Sequence, residues 1–171
     1  MIPESKTTKK THNFIREKLF DIEKKHNIRI LLAVESGSRA WGFPSKNSDY
    51  DVRFIYVRQK NNYISVKNYR DVLEVDIEYT KNLKAPLDLN GWDIRKTLQL
   101  ALKSNAVLFE WLQSPIRYVV HENFVKLLWN FAAKTADIEC IRRHYFKLMD
   151  GVWKQIKRDG DSVKECVKLT V

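Results

Sequence analysis

The run Ile28 to Val34, IRILLAV, is short, rich in β-branched residues and almost continuously apolar, and it ends at a Glu-Ser-Gly-Ser turn. That pattern predicts a strand buried in a sheet rather than a helix. A buried strand needs neighbours, and two later runs supply them. In DVRFIYV, Asp51 to Val57, the residues Val52, Phe54 and Tyr56 alternate against Arg53, Ile55 and Val57. In DVLEVDIEYT, Asp71 to Thr80, Val75, Ile77 and Tyr79 alternate against Glu74, Asp76 and Glu78.

Around these strands the period changes to that of helices. Phe14, Ile15, Leu19 and Ile22 recur at three-to-four spacing and predict a helix over 13–26, behind a polar, basic and frayed first ten residues. After LDLNG, the residues Ile94, Leu98, Ala101 and Leu102 share a face of a helix that stops near Asn105. A short helix AVLFEWL follows and ends before Ser114-Pro115, because the residue preceding proline is pushed out of the helical region. IRYVV reads as a brief strand, and 124–133 and 138–157 as two further helices, with Trp129, Phe131, Tyr145, Phe146 and Trp153 as core or helix–helix contacts. The last stretch, with Val163, Val167 and Leu169, reads as the start of another packed element. The fold class that follows is α+β: a small mixed β-sheet with helices packed on it, then a helical C-terminal portion. At 171 residues the chain holds one core.

The connection between the first two strands carries the chemistry. Gly37-Ser38 stands at a strand end, where the absent side chain lets backbone approach a phosphate and the serine hydroxyl can donate to it. Asp49 and Asp51 lie two apart at the head of the next strand, so they project from one face while Tyr50 points away. Carboxylates so close repel in low dielectric unless a cation neutralises them, and Mg²⁺ or Mn²⁺ accepts such all-oxygen donors when substrate phosphates complete its shell. Arg39 adds positive charge beside the Gly-Ser pair, Ser48 is either a ligand or a turn residue, and Trp41 packs the loop. Arg95 and Lys96 are candidates for reaching phosphates or are surface cations. His121 and His144 lack partners at metal spacing and read as structural.

Charge then bounds the partner. Lys and Arg number 31 against 21 Asp and Glu, a formal +10, which suits polyanions such as nucleic acid or nucleotide phosphates. Cys140 and Cys166 have no metal or redox spacing, no secretory signal or membrane-length apolar run is visible, and the expectation is a reduced, cytoplasmic setting without a membrane partner.

These residues resemble the nucleotidyltransferase superfamily typified by DNA polymerase β, whose signature is Gly-Ser, a spacer, then Asp-x-Asp; here Gly37-Ser38 is followed by ten residues and Asp49-Tyr50-Asp51. The longer strings ESGSRAWGFPSKNSDYDVRFIYV, LDLNGWDIRKTLQLALKSN and LFEWLQSPI resemble more narrowly the RlaP/YcgL-like branch associated with RNA repair, from about Leu32 to Ile116. The resemblance implies transfer of a nucleoside monophosphate from an NTP to a hydroxyl acceptor, most favourably an RNA end, with release of pyrophosphate. It assigns the triphosphate to Gly37 and Ser38, with Arg39 and Ser48 beside them, and the metals to Asp49, Asp51 and a third carboxylate. Strand alternation favours Asp76 for that third position; the family pattern, an acidic residue just before GWDIRKTL, favours Asp88, which is the choice made here. It further implies a catalytic domain over 1–116 and a helical region over 117–171; the chain departs from the branch in carrying Ala106 where proline is usual, and the expectation is that its helical region stops early. A protein hydroxyl acceptor and a catalytically weak nucleotide- or RNA-binding module are the competing readings.

Overall fold

The computed structural model describes residues 8–45, 48–77, 83 and 85–159. Five strands form one sheet: β1 (Ile28–Glu35), β2 (Tyr50–Arg58), β3 (Val72–Ile77), β4 (Leu87–Asp93) and β5 (Arg117–Val120), in the order β3-β4-β2-β1-β5. β2 and β4 run parallel and the other neighbours antiparallel, so the sheet is mixed, as expected. β5 lies beside β1, so the boundary expected at 116/117 falls immediately before a strand of this same sheet.

LDLNG, read from sequence as the lead-in to a helix, is the body of β4. Aspartate, asparagine and glycine are all depleted in strands, and they conceal the alternation of buried Leu87, Leu89, Gly91 and Asp93 with half-buried Asp88, Asn90 and Trp92. Gly91 is required where it stands, since a Cβ there would run into the ring of Phe54, its partner across the parallel pair.

Two helical layers cover the sheet. On one face α1 (Lys9–His26) sets Ile15, Leu19 and Ile22 against Ile30, Val52, Phe54, Tyr56, Leu87 and Leu89. Each such aliphatic side chain contributes about 1.5–3 kcal/mol by leaving water. α1 begins earlier than its apolar period suggested, because Thr8 caps it by accepting from the Thr11 amide. The other face holds α4 (Ile94–Leu102), α5 (Ala106–Gln113) and α6 (Glu122–Thr135), packed on Leu32, Val34 and Ile55, with Trp92 stacked on Trp111 at 3.7 Å. β1 serves both layers by alternation, and a register shift between Ile30 and Leu32 exchanges the faces: Ile28, Ile30 and then Ala33 face α1, whereas Leu32 and Val34 face the other helices.

Two short helices, α2 (Gly37–Ala40) and α3 (Lys60–Tyr63), occupy connections in the sheet, the first of them read from sequence as a turn. The last helix, α7 (Ile138–Asp159), departs from expectation in its packing. Phe146 and Trp153 are each 55 % exposed, and Ile138, Leu148 and Met149 are exposed with them, so these side chains are not core. Phe131 alone of the five aromatics named from sequence packs on the core as a partly buried residue. Cys166 and the apolar Val163, Val167 and Leu169 lie outside the described residues. Among the described residues no helix is long and apolar enough to cross a membrane.

Candidate active site

β1 ends at Glu35, the chain passes through Ser36 into Gly37, and β2 returns antiparallel beside it, so the Gly-Ser pair meets the first residues of β2. The approach is close: Gly37 has φ 61°, and a Cβ there would run into the Asp51 carboxylate. Only glycine takes this backbone conformation without strain while leaving the carboxylate its space.

Parallel pairing of β2 with β4 sets Asp51 opposite Asp88. Along β2, residues two apart share a face, so Asp51 and Arg53 point the same way. The Arg53 guanidinium joins the two acids: one nitrogen, Nη2, donates to Asp51 Oδ1 at 3.2 Å and to Asp88 Oδ2 at 2.8 Å. A cation therefore already sits between two convergent carboxylates, on side chains that are only partly exposed. β3 continues the row at backbone level, with Asp76 in register opposite Asp88, while its side chain lies outside the description. β3 is an edge strand, and Glu74 on it is exposed and accepts from Asn90.

Asp49 behaves differently from its sequence reading. It precedes β2 by one residue and is exposed, so strand alternation does not set its direction. Its carbonyl, with that of Ser48, accepts from Arg39, whose guanidinium also lies 3.9 Å from the Tyr50 ring centroid. Arg39 thus braces the segment that leads into β2. The Ser48 hydroxyl accepts from the Ser45 amide at 2.7 Å, which is turn chemistry. Ser38 sits in the first turn of α2, with its carbonyl accepting from the Phe43 amide.

Arg95 and Lys96 stand at the far end of β4. Asp93 lies five residue steps beyond Asp88, about 16 Å along a strand. There Arg95 pairs with Asp93 at 3.9 Å and Lys96 with Asp71 at 3.2 Å.

Two groups at the site carried no obvious sequence mark. One is Arg53, hidden as an ordinary polar position in an alternating strand. The other is Glu35, fully buried, which accepts from the Asp51 amide at 3.0 Å through Oε1 and from the Tyr118 hydroxyl at 2.6 Å through Oε2. Burial pushes its carboxyl up to about 7, against the two hydrogen bonds, which favour the charged form. The available signal was a carboxylate closing a mainly apolar strand two residues before Gly37-Ser38.

The donor set suits a hard divalent cation. Among the described residues no three acidic, His or Cys side chains converge, but Mg²⁺ is commonly held by one or two carboxylates together with substrate phosphates. Asp51 and Asp88 could provide that pair, the Arg53 nitrogen lies between them, and the bare Cα of Gly37 leaves the Asp51 carboxylate its space.

Comparison with known proteins gives a family match and a curated relative. Residues 11–168 match the family described as RlaP: RNA repair pathway DNA polymerase beta family. A curated relative, "Uncharacterized protein YcgL" of Bacillus subtilis (strain 168), is 53 % identical over 104 residues, covering 61 % of this chain and 38 % of the relative. The match thus spans well under half the length of that relative.

Proposed function

The chain belongs to the RNA repair pathway DNA polymerase beta family, and from that premise we propose that it transfers a nucleoside monophosphate from an NTP to a hydroxyl acceptor, an RNA end. The observation that carries the reading is the Asp51–Asp88 pair, in register across two parallel strands with Gly37 against it. Phosphoryl transfer asks of a protein mainly positioning and charge neutralisation, and this corner of the sheet supplies both.

Asp51 and Asp88 would hold Mg²⁺ or Mn²⁺, with Asp49 from the approach to β2. When bound, the metal neutralises phosphate charge and lowers the pKa of an attacking hydroxyl. The chain's own residues do the rest. Gly37 admits the triphosphate backbone-first, and Ser38 offers a hydroxyl donor at the same corner. Arg53 bridges the two carboxylates and offsets their mutual repulsion in the absence of a metal. Arg39 holds the lead-in to β2, and with it Asp49 and Ser48, in a set position. The formal charge of +10 favours a polyanionic acceptor.

The test is pyrophosphate release with Mg²⁺ or Mn²⁺ across the four NTPs, with and without short RNAs, in wild type and in Asp49→Ala plus Asp51→Ala. RNA-dependent release that the double variant loses is the expected result. Labelling of a polypeptide without RNA would replace the acceptor by a protein hydroxyl. NTP binding without release under any condition would replace the enzyme by a binding module.

A further inference from the structure

Asp51 occupies an awkward backbone position. Its carbonyl accepts from the Ser36 amide at 2.7 Å, the final backbone rung before the chain turns away into Gly37. Its own amide faces the side where β1 has ended, and a strand amide buried without an acceptor is costly. The acceptor it finds is a side chain, Oε1 of Glu35 at 3.0 Å.

Glu35 is itself held from three directions. Tyr118 on β5 donates to Oε2 at 2.6 Å, and Ser114, where α5 ends, donates to the Glu35 carbonyl at 2.6 Å. The Glu35 amide donates to the Ile116 carbonyl at 2.9 Å. Tyr118 belongs to the core on the α1 face and lies 5.0 Å, centroid to centroid, from the ring of His12 on α1. Glu35, Ser114 and Tyr118 are all buried, so this is a built support rather than a surface contact.

We propose that Glu35, held by Tyr118, is a positioning residue: its carboxylate serves as the missing rung of the β1–β2 ladder and so fixes the backbone from which Asp51 presents its carboxylate beside Asp88. The proposal rests on the reading of Asp51 and Asp88 as metal ligands. It gives the buried carboxylate a task that packing alone does not explain, since an apolar side chain would fill the same space without the cost of desolvating an acid. Groups that orient a metal ligand commonly change metal affinity or activity by about 10–100-fold when removed.

The experiment compares wild type with Glu35→Gln, Glu35→Leu and Tyr118→Phe. Mn²⁺ affinity in the presence of a non-hydrolysable NTP is measured by electron paramagnetic resonance, with kcat and KM for NTP taken per folded molecule. Glu35→Gln keeps an oxygen for the Asp51 amide and should stay near wild type in both readouts. Glu35→Leu removes the acceptor and should lose about ten-fold or more in Mn²⁺ affinity and in kcat, with KM for NTP little changed. Tyr118→Phe, which frees one carboxylate oxygen and leaves the core shape intact, should fall between them. Lower melting temperatures with Mn²⁺ affinity and kcat unchanged would make Glu35 a purely structural residue and overturn the proposal. A wild type that binds Mn²⁺ without turnover leaves the affinity comparison to decide the role of Glu35 and counts only against the enzymatic reading. A wild type that binds no Mn²⁺ overturns both.

Discussion

Gly37→Ala is the perturbation whose cost the structure makes most explicit. Two effects add. An alanine at φ 61° bears the left-handed penalty, about 1–2 kcal/mol. Its Cβ also meets the Asp51 carboxylate, so either the carboxylate rotates away from Arg53 and Asp88 or the Ser36–Gly37 turn shifts from β2. A further ~1 kcal/mol for that adjustment is in line with overpacking a tight contact. The sum, about 2–3 kcal/mol, lowers the melting temperature of a domain this size by roughly 4–12 °C. Activity should suffer more than stability, because displacing a reacting group by ~1 Å can cost about 100-fold. The assay is a double-mutant cycle with Asp51→Ala, followed by thermal unfolding, with pyrophosphate release measured on Gly37→Ala alone. If the carboxylate is the obstacle, Gly37→Ala should destabilise less in the Asp51→Ala background, leaving only the backbone share. Additive losses, or a Gly37→Ala protein with near wild-type melting and turnover, would refute the close approach of the glycine to the Asp51 carboxylate.

The other predictions concern separate features. Arg53→Met removes the cation shared by Asp51 and Asp88 and should destabilise the metal-free protein by about 1–2 kcal/mol, with a larger rise in melting temperature on adding Mg²⁺ than wild type shows, as differential scanning fluorimetry would report. An equal Mg²⁺ response would remove Arg53 from the site. Asp137 caps α7, accepting from the Glu139 amide at 2.9 Å. The Cys140 thiol, then the Glu139 and Cys140 amides, hold its carboxyl below the ordinary 3.8. The folded chain therefore binds this proton less readily than the unfolded one, so the cap is fully effective above pH 3.8 and fades as pH falls through the lower folded value. Circular dichroism should show Asp137→Asn, an uncharged but competent cap, losing less helix than wild type on that descent. Gly151→Ala, on exposed α7 with nothing within 4 Å of the added Cβ, should stabilise that helix by about 0.5–1 kcal/mol, visible as slower amide exchange around it.

The sequence alone determined the periodic elements and the chemical inventory. IRILLAV and DVRFIYV became β1 and β2, the apolar spacings became α1, α4, α5, α6 and α7, and Gly37-Ser38 and Asp51 meet at one strand connection. Such features are local, set by period and by side chains that leave a strand or helix as the cheapest conformation. Asp88 was legible only through family resemblance; its own strand was not, because polar residues and a glycine masked the alternation of β4.

Tertiary structure decided everything that depends on register between distant segments. It set Asp51 opposite Asp88, with Arg53 between them, through 36 residues of intervening chain that periodicity cannot fold. It sent Arg95 and Lys96 to the other end of β4, and it turned Arg39 toward carbonyl groups and a tyrosine face. Glu35 is the clearest case. Asp51 lies 16 residues on and Tyr118 lies 83 residues on, so only the closed sheet could show that an acid ending an apolar run accepts from the Asp51 amide and the Tyr118 hydroxyl.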